Sequence, residues 1–253
     1  MIISRLKSLE IFTTTVLFQI GNELEGDKNT YLTNSIAKTQ TLVKSIELTF
    51  VNELYNESWI LYRCLLDRYL YIRYLEKNKL HTSFKDWSYA KGYEYLRNAK
   101  SEETVQNVKH DPRFRFSKEQ SDTYSEIKKQ SNSFFKPDPK SIFKDEGLSF
   151  LYKFGYDYAS MRVHPMFEDG DEEYFRITQI KPNPYSEFDH QELITNTYLV
   201  ATMIIQESLN QIDLKTISDV YEYLESLGKN SDYITPFYKI IKHVEQGNKI
   251  FEK

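Results

Sequence analysis

Apolar residues recur at helical spacing along most of the chain and predict a succession of helices. Leu6, Leu9, Val16 and Ile20 mark an amphipathic helix over residues 4–24, with Ser4 as its cap and Gly21 and Gly26 closing it. Ile36, Leu42, Ile46 and Phe50 mark a second over about 33–53. Over 57–78 the apolar positions, among them Trp59, Leu65, Leu66, Leu70 and Leu75, surround nearly the whole circumference. A helix apolar on all sides belongs at the centre of a bundle. Another helix is predicted over 83–99.

From Val105 to Lys144 the apolar pattern weakens, and Pro112, Pro137 and Pro139 interrupt it, so a helix near 118–134 is expected between two loops. Leu148 to His164 reads as a helix again, ending at or near His164 because Pro165 disfavours helical geometry in the residue before it. Residues 166–188 read as irregular, with Tyr174–Ile180 extended. Asp189 and Glu192 form a capping-box pattern that opens a long helix to about Ile212. Shorter helices are expected over 216–227 and 235–246.

Together these elements predict an all-α fold: one helical bundle, a single domain over 1–253 with its core at about 30–212. Helices 57–78 and 189–212 are expected at its centre, with 148–164 packed beside them. Composition agrees. Gly (8) and Pro (7) are scarce in 253 residues, as suits long helices with few tight turns. The single cysteine, Cys64, permits no intrachain disulfide and no cysteine-only zinc site, which fits a reducing, cytoplasmic setting. No uncharged stretch is long enough to span a membrane, and Glu10 and Gln19 break the apolar N-terminal run, so a secretory leader is not expected. A net charge of −4 argues against nucleic-acid binding over the whole surface but leaves room for a local patch.

Four constellations could carry chemistry. Arg63 and Asp67 lie four apart on the most apolar helix, so they share a face. Charges inside a core need pairing, and a salt bridge that fixes helix packing is one reading. The other is an interior site that presents a guanidinium fork to an anion such as phosphate. Tyr156, Ser160 and His164 follow one another at intervals of four, forming a stripe that ends in a histidine at the last helical turn. Such a histidine suits general acid–base work, or simply caps the helix.

The segment 109–144 holds nine Lys and Arg against five Asp and Glu, and Phe114 and Phe116 alternate with Arg113 and Arg115. That composition suits single-stranded nucleic acid, or else a solvated surface with anchored aromatics. The acidic run Glu168, Asp169, Asp171, Glu172 and Glu173 matches no metal-loop register and reads as a solvated loop. Di-metal bundles need Glu-x-x-His on two helices, which this chain does not offer. The sequence also lacks a phosphate-binding glycine loop, a dinucleotide fingerprint and a G-x-S-x-G elbow. No metal and no other cofactor is expected.

The run Tyr62-Arg63-Cys64-Leu65-Leu66-Asp67 resembles the R-x-x-x-E helix of a widespread bacterial family of uncharacterised helical proteins, with Asp67 in place of the usual Glu. Tyr156-x-x-x-Ser160-x-x-x-His164-Pro165 resembles the second hallmark of that family, and the likeness covers about 30–212. Such proteins are similar in layout to HEPN domains, helical bundles of toxin–antitoxin and phage-defence systems, many of them dimeric, metal-independent ribonucleases. The HEPN motif has an arginine, then four to six residues, then its histidine. Here Arg162 is two residues before His164, and Asp157, Tyr158 and Ala159 occupy the expected arginine positions.

The resemblance implies a HEPN-like, RNA-directed protein, with RNA and an antitoxin or other defence-system protein as partners, and a homodimer. In that reading His164 moves the proton, Arg63 stabilises charge on the phosphate and Asp67 orients Arg63. Tyr156, Ser160 and Arg162 bind the substrate backbone. The alternative is a non-catalytic helical interaction module in which the Arg/Asp/His groups form a structural polar network.

Overall fold

The computed structural model describes residues 9–10, 12–14, 16–17, 20, 25–101, 115–130, 134–164, 170–179 and 187–212, with backbone alone at 100–101, 172 and 187–191. Among the described residues every regular element is helical. In chain order these are α1 (Asp27–Val51), α2 (Tyr55–Asn78), α3 (His81–Ser101), α4 (Lys118–Lys129), α5 (Pro139–Asp145) and α6 (Ser149–Leu151). A π-helix (Tyr152–Asp157), α7 (Tyr158–Met161), α8 (Asp171–Thr178) and α9 (Glu187–Gln211) follow. No described helix is long and apolar enough to cross a membrane. The helices expected over 216–227 and 235–246 lie outside the described residues.

The chain divides into two compact units, one of Met1–Tyr74 with Pro137–Lys253, the other of Leu75–Lys136. In the larger unit α1 packs against α9. Its core combines Leu32, Ile36, Val43 and Ile46 of α1 with Tyr62, Leu65, Leu66 and Ile72 of α2 and Val200, Ala201, Ile204 and Ile205 of α9. Both helices expected at the centre, 57–78 and 189–212, therefore contribute to it. Leu9, Phe12, Val16 and Ile20 are fully buried in the same cluster, as the spacing of the first helix predicts. Buried hydroxyls return their protons to the preceding turn: Thr39 to the Ser35 carbonyl and Thr197 to the Leu193 carbonyl, at 2.8 and 2.7 Å. A polar group so satisfied can sit in a core without an orphaned donor.

In the smaller unit α3 and α4 are joined by aromatic rings. Tyr93 stacks on Tyr124 at 4.4 Å and meets Phe116 at 4.3 Å, while Trp87, Phe84 and Phe134 form a second group. Ser117 and Gln120 make a reciprocal capping box that starts α4. In the described part of the basic segment Phe116, Tyr124 and Phe134 thus serve packing, while Phe135 is exposed, and Lys128 pairs with Glu94 at 2.6 Å. Lys128 and Lys91 together hold the Glu94 carboxyl down to about 2.

Two local expectations change. The loop expected around Pro137 and Pro139 contains helix α5. Asp138 caps it by accepting from the Ser141 amide at 3.1 Å, and Pro139 occupies the first turn, where its missing N–H costs nothing. The extended stretch expected at Tyr174–Ile180 is instead helix α8 as far as Thr178. Gly170 supplies the left-handed turn (φ 93°) that starts it.

Candidate functional site

Residues 149–161 form a composite helix: one α turn, six residues of π-helix and one more α turn. A π segment inserts a residue into the α register and commonly marks a functional position. Gly155 lets this segment approach α2 closely. A Cβ there would stand 3.2 Å from the Tyr62 hydroxyl and 3.5 Å from Leu66 Cδ1. The approach sets Tyr156 and Ser160 against Arg63.

The Arg63 guanidinium is the hub. Its Nε donates to Ser160 Oγ at 2.8 Å, one terminal nitrogen donates to the Tyr156 hydroxyl, and the other forms an ion pair with Asp67. The Arg63 carbon lies 3.3 Å from the centre of the Tyr156 ring. Tyr156 donates in turn to Asp67 Oδ1 at 3.3 Å, and Ser160 donates to the Tyr156 carbonyl at 2.7 Å. The hydroxyls of Ser160 and Tyr156 therefore each accept one bond and donate another. The Arg63 side chain is 17% exposed and that of Asp67 41%, so the pair lies at the edge of the core with its acid toward solvent.

A second network adjoins the first. Arg162 donates to Asn56 Oδ1 at 2.5 Å and to the Tyr158 hydroxyl at 2.9 Å, and Asn56 donates to Glu173 Oε1 at 2.5 Å. The Tyr158 ring meets Trp59 edge-on at 4.8 Å. The sequence assigns Asn56 and Tyr158 no role, and it reads Glu173 as part of a solvated loop, whereas Glu173 lies on helix α8 and binds Asn56. Asn56 is seven residues before Arg63 and Tyr158 four before Arg162, so both fall on the faces already marked. Glu173 belongs to the acidic run, and nothing in its spacing announced a partner.

His164 stands differently from its expected place. The helix ends at Met161 with Arg162 as its cap, and the amides of Arg162 and Val163 bond three residues back, to Ala159 and Ser160. This tightened last turn uses the free carbonyls and leaves His164 beyond it, exposed. Among the described residues its side chain makes no hydrogen bond or ion pair. The structure thus brings together Arg63, Asp67, Tyr156 and Ser160, ties Arg162 into the neighbouring network, and sets His164 four residues past Ser160 in the solvent. Among the described residues no three His, Cys, Asp or Glu side chains are grouped as metal ligands; Glu168 and Asp169 lie outside them.

Residues 29–179, well over half of the chain, match a family of unknown function, DUF5677. The chain belongs to this family. The match takes in both networks and His164, whereas α9, which completes the core, lies beyond it. No curated protein and no solved structure matches the chain.

Proposed function

We propose that this DUF5677 protein is a HEPN-like, RNA-directed protein that cleaves RNA with the help of the RNA's own 2′-hydroxyl, His164 moving the proton. One observation carries the reading: an exposed imidazole, bound to nothing among the described residues, follows directly on a helix end tied down on both sides. Ser160 is held by Arg63, and Arg162 by Asn56 and Tyr158. A reactive group on a rigid support keeps its geometry without being occupied itself.

In the proposed reaction neutral His164 takes the proton of a 2′-hydroxyl as its oxygen attacks the adjacent phosphorus. The P–O5′ bond breaks, the 5′-oxygen takes a proton from water, and His164 gives up its own proton to solvent. The products are a 2′,3′-cyclic phosphate and a free 5′-hydroxyl. Arg63 acts here as a positioning residue. Its nitrogens are already engaged by Ser160, Tyr156 and Asp67, and its charge is largely balanced by that carboxylate. The same engagement favours a second reading, in which both networks are structural ties in an interaction module.

The test is to incubate the full chain with single-stranded and structured RNA in a chelating buffer and to identify the product ends. Cyclic phosphates formed by the wild type and missing with His164→Ala support the cleaving reading. Intact RNA throughout leaves the interaction module.

A further inference from the structure

The composite helix carries a second feature. A groove of about 630 Å³ runs between this helix and α9. Phe150 and Phe154 line one wall with their rings 4.6 Å apart and tilted by 35°, and both are well exposed, at 74% and 55%. Large aromatics normally bury most of their surface. Glu192, Thr195 and Asn196 line the other wall from one face of α9, above Leu199. Among the described residues none of these three polar side chains is engaged in a hydrogen bond or ion pair. The Lys153 ammonium lies 5.6 Å over the Phe154 ring, at the solvent edge.

We infer that this groove holds an unpaired base of single-stranded RNA, one with an exocyclic amino group, stacked on Phe150 and Phe154. A flat ring stacks on an aromatic face whatever its sequence. The free carboxylate of Glu192 accepts from an amino group on the base edge, as acidic side chains do toward amino-bearing bases. Thr195 and Asn196 supply further donors and acceptors, and Lys153 meets the adjoining phosphate. A second copy of the chain would meet an apolar wall faced by an unpaired polar row, a poor match for the core of a protein interface. The volume lies within the range of small-ligand pockets and accommodates a base.

The inference rests on the RNA-directed reading but not on catalysis. Phe154 lies ten residues before His164, so the groove and the exposed imidazole belong to one composite helix and its end.

The experiment measures binding of labelled oligoadenylate and oligouridylate to the full chain, to Phe150→Ala/Phe154→Ala and to Glu192→Gln, with the association state of each followed by light scattering. The expected result is tighter binding of oligoadenylate, weakened about tenfold or more by the double substitution, and a preference over oligouridylate that shrinks in Glu192→Gln. Unchanged binding by the double variant overturns the inference, and cleavage dependent on His164 then still stands. A dimer that becomes monomeric in the double variant, with RNA binding intact, also overturns it and assigns the groove to self-association. If no protein binds RNA, both the inference and the RNA-directed reading fail.

Discussion

Arg63 and Ser160 stand 97 residues apart in sequence, yet the Nε of one donates to the Oγ of the other at 2.8 Å. That bond joins the long core helix to the composite helix that ends just before His164. A guanidinium can serve Ser160, Tyr156 and Asp67 together because its donors are fixed in one plane and point in different directions. Arg63→Ala should lower the unfolding free energy by about 2 kcal/mol, between the values for exposed and buried ion pairs, because Asp67 keeps part of its hydration. Arg63→Lys should recover little of that loss, since one ammonium cannot reproduce the fork. Urea unfolding midpoints measure both.

Tyr62 and Gly155 form a tighter coupling in the same helix pair. The Tyr62 hydroxyl is buried without a hydrogen-bond partner among the described residues, and burial pushes its ionisation well above the usual range. Tyr62→Phe should therefore be neutral or raise stability by about 1 kcal/mol, because it removes an unsatisfied group. Gly155→Ala should cost about 1 kcal/mol in the wild type, where its Cβ would crowd that hydroxyl. In the Tyr62→Phe background the cost should shrink or reverse, since the better helix propensity of alanine is then unopposed. A double-mutant cycle reads the difference.

Arg73 holds together two further elements of the larger unit. It forms ion pairs with Glu146, just after α5, and with Glu207 of α9. Burial alone would make its charge harder to keep, but the Glu207 and Glu146 carboxylates more than reverse this and raise its pKa. Arg73→Ala would leave two carboxylates without their shared cation. The expected loss is about 2–3 kcal/mol, below the value for a fully buried pair because Arg73 is partly exposed. Glu207→Gln, which keeps one pair, should cost about half as much, by thermal or urea unfolding.

Alkaline pH should unfold the protein through its buried tyrosines. Burial raises Tyr31 and Tyr69 from 10.0 to about 12. A raised folded-state pKa gives a contribution that is complete below pH 10 and is lost as pH climbs toward 12, because the unfolded chain releases those protons first. Tyrosinate absorbance should therefore rise together with loss of helical circular dichroism over that window. Smooth titration with the helix intact would contradict it.

Much of this was legible in the sequence because helical periodicity is a local signal. Arg63 and Asp67 share a face at a spacing of four, and Ser160 follows Tyr156 at the same spacing, so each half of the network could be read on its own helix. What joins the halves was not readable, since no local pattern fixes which helix meets which. The π segment is hidden as well, since its sequence is an ordinary apolar–polar mixture, and Pro165 as the stop signal puts His164 inside the last turn. Asp138 and Pro139 sit where the prolines suggest a loop, although the same pair is a helix-start signal. Arg73 went unnoticed in an apolar helix, and its two glutamates lie far along the chain, at 146 and 207.

In the proposed function two polar networks hold a helix end in place so that the exposed His164 can act on RNA. The most direct measurement compares the RNA cleavage rate and melting temperature of His164→Ala with those of the wild type. The melting temperature should be unchanged, because the imidazole binds nothing among the described residues, and cleavage should slow by about a hundredfold or more, as for a lost general acid–base group. Cleavage at the wild-type rate by a folded His164→Ala protein would contradict it.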